Sequence, residues 1–103
     1  MREISVENYL KKQCSKHNIM CHKYISPGKN GVPDRLLAGH RYDDNEALII
    51  FVELKAPGKK LRPLQVATQN TMRSYGCIID TADSYDGVDT ILHTYFHIPQ
   101  DIL

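Results

Sequence analysis

The chain has 103 residues, 42% of them hydrophobic, which is enough for one modest core and predicts a single domain over residues 1–103. Net charge is only +1, which by itself says little about partners. No apolar run approaches the roughly 20 residues of a membrane span, and an odd set of cysteines, Cys14, Cys21 and Cys77, argues against a disulfide framework.

The N-terminal stretch MREISVENYL lacks a basic segment followed by an apolar one, so a cytoplasmic protein is expected. Residues 3 to 17 read as an amphipathic helix. Ile4, Val6, Tyr9, Leu10, Gln13 and Cys14 supply its stripe, and Lys11, Lys12 and Lys16 face water. A strand over 19–25 ends at the turn SPGKNG. Strands over 34–39 and 48–55 flank HRYDDNEA, a hairpin loop by composition. Pro63 suits a first helical turn, after which Leu64, Ala67, Thr71, Met72 and Tyr75 recur at helical spacing until Gly76. A fourth strand over 77–81 and a last helix over 84–96 complete an α/β order, α-β-β-β-α-β-α.

Charge is unevenly spread along this order. All 13 Lys and Arg fall at or before Arg73, with seven of the 12 Asp and Glu; beyond it stand five Asp and no Lys or Arg. Such polarity favours an anion, nucleic acid included, against the first three quarters of the chain.

The strand LIIFVELK poses a physical question. Its residues are apolar on both sides, as in a central strand covered on both faces, yet it ends in Glu53 and Lys55. A charge emerging from a dry layer is costly unless paired. A hairpin centred between Asp43 and Asp44 sets Asp34 opposite Glu53, so Asp34, Glu53 and Lys55 converge at one end of the sheet. Two carboxylates that close repel unless a cation lies between them. Hard divalent ions, Mg²⁺ above all, take such oxygen donors, and a neighbouring lysine can orient a water and offset charge on a phosphate. The competing reading is a buried ion-pair network without chemistry, a weak device for stability.

GVPD followed by IIFVELKAPGKKLRPLQ resembles the PD-(D/E)XK nuclease pattern, and more narrowly the virus-type replication-repair nuclease family, VRR-NUC. The resemblance implies a restriction-endonuclease-like core, with a central mixed sheet flanked by helices. It implies Asp34 and Glu53 as ligands of Mg²⁺, for which Mn²⁺ substitutes, joined by the Leu54 carbonyl. It likewise implies Lys55 as the catalytic lysine, Gln65 as the motif glutamine, and Glu7 as the glutamate of the first helix, with Glu3 one turn earlier as the alternative. Gln69 shares the face of Gln65, but family spacing favours Gln65.

The implied reaction is metal-dependent phosphodiester hydrolysis, with no small-molecule cofactor. Lys29, Arg35, Lys59, Lys60 and Arg62 are candidate backbone contacts, which position DNA without reading sequence. Small stand-alone members resemble homodimeric, structure-selective endonucleases of phages and bacteria, so branched DNA, four-way junctions first, is the expected substrate in a bacterial or phage-infected cell. A flap, general or restriction-type nuclease on the same site is the alternative, as is a catalytically silent DNA-binding module. The first helix or residues 91–98 are candidates for the dimer surface. Cys14, His17, Cys21 and His22 lack the paired couples of a zinc site, and His93 and His97 receive no metal role.

Overall fold

In the computed structural model, which describes residues 2–103, helix α1 (Glu3–Lys16) buries Val6, Leu10, Gln13 and Cys14, a stripe at helical spacing. It stops where Asn18 takes the left-handed conformation, φ 57°, and the Ile19 N–H turns back to the Cys14 carbonyl at 2.8 Å. The chain continues as β1 (Met20–Lys23), β2 (Arg35–His40), β3 (Ala47–Leu54), α2 (Pro63–Ser74), β4 (Ile79–Ala82) and α3 (Tyr85–Phe96), with a short 3-10 turn at Gln100–Ile102. The expected element order therefore holds, with ends shifted by one to two residues. Ser84 caps α3, its Oγ accepting the Gly87 N–H at 2.9 Å, so Gly87 sits in a tightly tied first turn.

The sheet is mixed, in the order β1-β2-β3-β4, with β1, β2 and β3 antiparallel and β4 parallel to β3. Helices α1 and α3 pack on one face, where Leu37, Ile50, Val52 and Leu54 meet Val6, Leu10, Val88, Ile91, Leu92 and Phe96. The apolar residues of α1 and of 91–98 named above as interface candidates are spent on this core. Val6, Leu10, Ile91, Leu92, Phe96 and Ile98 are all buried; among the expected stripe residues of α1, Ile4 is the exposed exception.

The second face departs from expectation. Strand β3 is central, but its outer side is covered only towards the C-terminal end, where α2 lies. Glu53 is 5% exposed there, whereas Ile49 at the other end is 58% exposed. Helix α2 also turns differently from its apolar periodicity. Gln65, Thr68 and Gln69 point inward, while Leu64, Ala67 and Tyr75 face solvent. The reason is what the helix packs on: the Asn30–Gly31 backbone and the carboxylate end of β3, which are polar surfaces.

Candidate active site

The β2–β3 ladder pairs Arg35 with Val52 and Leu36 with Phe51, the register expected from the hairpin. One step further out, the same register sets Asp34 against Glu53. Asp34 is held from two sides. Its carbonyl accepts the Tyr24 N–H at 2.8 Å, and its Oδ1 accepts the Leu54 N–H at 3.3 Å. The preceding turn is set by Gly31, at φ +85°; a Cβ there would lie 2.8 Å from both the Leu64 carbonyl oxygen and Thr68 Oγ1. Thr68 Oγ1 donates to the Asn30 carbonyl at 2.9 Å, which clamps this loop onto α2. The glycine of GVPD thus serves close backbone approach, and that approach delivers Pro33 and Asp34 to the end of β3.

Burial is the largest perturbation of both carboxyls. Burial pushes the Glu53 carboxyl up to about 7, and the nearby Asp34 charge pushes the same way, opposed by Lys55. Asp34 is also raised, by burial first, with the Leu54 N–H and Arg35 pulling it down. Among the described residues neither Asp34 nor Glu53 belongs to a salt bridge. Lys55 acts on Glu53 through its charge and closes no ion pair with it among the described residues. Two half-buried to buried carboxylates without a paired cation, beside the backbone of Leu54, form the hard oxygen set that suits a divalent ion. The donor chemistry fits.

Glu7, the first choice for the helix glutamate, pairs with the guanidinium of Arg35. The helix carboxylate whose charge reaches both Asp34 and Glu53 is Glu3, at the start of α1. Arg35 is itself buried, at 8% exposure, and committed to Glu7, so its guanidinium is withdrawn from the solvent-facing cations. Lys29, Lys59, Lys60 and Arg62 are exposed, in the loops before β2 and between β3 and α2. Gln65 closes the start of α2, its Oε1 accepting the Arg62 N–H at 2.9 Å. The residue on Glu53 is Gln69, whose Nε2 lies 3.4 Å from Glu53 Oε1. Its only signal in the sequence is the four-residue spacing from Gln65.

Asp43, Asp44 and His97 also gather, at the opposite end of the sheet. Arg41 already grips Asp44 with two bonds of 2.9 and 2.6 Å, and His97 Nδ1 meets Asp43 at 2.8 Å, so this exposed group is satisfied as a surface ion-pair cluster. Cys14 is buried in the core and its thiol is pushed up by the Cys21 thiol and by burial, as expected of a structural cysteine.

No family model matches the chain. It is similar to a protein of Acyrthosiphon pisum secondary endosymbiont phage 1 named "Putative nuclease p44", 38% identical over 86 residues, which are 84% of this chain and 87% of that protein. It is also similar to a solved structure described as a VRR_NUC domain, with a TM-score of 0.75 and 25% identity over 91% of this chain and 97% of that one.

Proposed function

Because the chain belongs to the VRR-NUC family and is a nuclease by that membership, we propose that it is a Mg²⁺-dependent, structure-selective DNA endonuclease, acting as a homodimer on four-way junctions in the cytoplasm of a bacterial or phage-infected cell. The observation that carries this reading is the Asp34–Glu53 pair, half-buried and buried, with the Asp34 charge raising Glu53 and, among the described residues, no salt bridge at either carboxylate.

Asp34, Glu53 and the Leu54 carbonyl would hold the ion. A divalent cation there supplies Lewis-acid activation of the attacking water and neutralises charge on the phosphoryl oxygens. The chain's own groups do the rest. The Lys55 charge, already felt by Glu53, orients the water and offsets negative charge developing on the phosphate. Lys29, Lys59, Lys60 and Arg62 track the backbone on either side of the scissile bond. Gln65 fixes the first turn of α2, and Glu7 holds Arg35 next to Asp34. Glu3 adds negative charge at the same end.

A second copy is supported by the outer sheet face, where Met20 and Ile49 stay 47% and 58% exposed. They border an open hollow of about 880 Å³ also lined by Ile19, Ala38 and Leu48, at the end of the sheet away from Asp34. Two symmetric nicks in a junction call for two such sites. Among the described residues no helix is long and apolar enough to cross a membrane.

The test compares cleavage of a four-way junction, a 5′ flap, linear duplex and single strand in Mg²⁺. Paired symmetric nicks in the junction are expected. Preference for the flap or the linear duplex replaces the junction reading by the corresponding nuclease, and binding without cleavage of any substrate replaces it by a silent binding module.

A further inference from the structure

Helix α2 presents three buried polar side chains to the rest of the molecule, and two of them have local duties. Gln65 accepts the Arg62 N–H, and Thr68 donates to the Asn30 carbonyl. Gln69 has none. It is 0% exposed, its Nε2 reaches only Glu53 Oε1, and its Oε1 has no partner. Among the described residues only one other buried side-chain polar atom, His17 Nε2, is left alone in this way. Gln13, the other buried glutamine outside the start of α2, donates from its NH₂ to both Tyr9 and Asp89 at 3.1 and 3.0 Å. A methionine or leucine at 69 would fill the same space without burying an unpaired carbonyl.

What Gln69 does contribute falls on Glu53 alone. The terminal torsion of a glutamate is broad and roughly two-fold, so an unrestrained carboxylate rotates freely. Gln69 is the only hydrogen-bond partner of the Glu53 side chain among the described residues. It anchors one oxygen from the helix side. With Nε2 turned to Glu53, the amide donates and the carboxylate oxygen accepts.

We propose that Gln69 is a positioning residue for divalent-metal binding, fixing the Glu53 carboxylate so that its second oxygen is presented to the ion. This rests on the metal-site reading above and adds a residue to it that acts through Glu53, touching neither ion nor DNA. Outer partners of this kind change metal affinity roughly 10–100-fold when removed.

The experiment uses the full-length chain and Gln69→Met, which retains length and packing while removing the amide. Mn²⁺ binding is measured by calorimetry, and melting is followed in metal-free buffer. The variant is expected to bind Mn²⁺ roughly tenfold or more weakly while melting at or above the wild-type temperature. Cleavage lost at limiting Mg²⁺ is expected to return at saturating Mg²⁺. Equal Mn²⁺ affinity in the two proteins would overturn the inference. So would a variant that melts clearly lower or fails to fold, because the amide would then be structural. A wild type that binds no Mn²⁺ would instead sink the metal-site reading beneath it.

Discussion

In metal-free buffer, Glu53→Gln should stabilise the protein, and increasingly so as pH rises. The folded Glu53 carboxyl sits at about 7 against an ordinary 4.5. Below 4.5 it is protonated in both states and resembles the glutamine. Between those values the unfolded chain has released its proton and the folded chain has not, so stability falls as pH climbs through this window. Above about 7 the loss is complete. Each pKa unit is worth about 1.4 kcal/mol, so the full span amounts to about 3 kcal/mol, an order-of-magnitude figure. For a domain of this size that corresponds to a melting shift on the order of 10 °C. Other titrating groups are common to both proteins and largely cancel in the difference. Thermal or urea unfolding of wild type and Glu53→Gln from pH 4 to 8.5, without metal, checks it. The gap between the curves should open in favour of the variant between pH 4.5 and 7 and then level off. Adding Mn²⁺ at pH 8 should restore the wild type and leave the variant unmoved, because only the former gains a ligand. Parallel curves across the range would refute both the burial of this carboxylate and its repulsion by Asp34.

Gly31→Ala should lower stability by about 1–2 kcal/mol from the left-handed backbone alone, and more from the 2.8 Å approach to Leu64 and Thr68. Its cleavage rate should fall too, because the same turn delivers Asp34; a variant with unaltered melting and activity would count against that role. Replacing Lys59 and Lys60 together by alanine should weaken DNA binding and flatten its dependence on salt by about one logarithmic slope unit per lost contact. An unchanged slope in a binding titration from 50 to 300 mM salt (roughly the range over which counterion release is read) would remove these lysines from the backbone contacts.

The fold was legible because its strongest signal is physical. The eight-residue run Ala47–Leu54, short and rich in β-branched and aromatic residues, reads as a strand, and the hairpin turn fixes the pairing that sets Asp34 against Glu53. What eluded the sequence were the partners chosen by three-dimensional neighbours. Arg35 looks like any solvent-facing cation in the letters, yet strand parity turns it inward to Glu7. Helix α2 carries Leu64, Ala67 and Tyr75 at apolar spacing, but it lies on a polar surface and buries its glutamines instead. Periodicity reports the inward face only when the surface beneath is itself apolar. Gln69 stands on the same face as Gln65 in the letters, and family spacing selects Gln65, whereas the contact with Glu53 belongs to Gln69. The uncovered half of the sheet around Ile49 was likewise unreadable, since a strand does not record how far a neighbouring helix extends over it.

Asp34, Glu53 and Lys55 are proposed to form one metal-dependent hydrolytic site. Single-turnover cleavage of a four-way junction by Lys55→Ala, alongside its binding to the same DNA, tests it most directly. Binding close to wild type with cleavage abolished in Mg²⁺ is the expected result. Cleavage at the wild-type rate would contradict it.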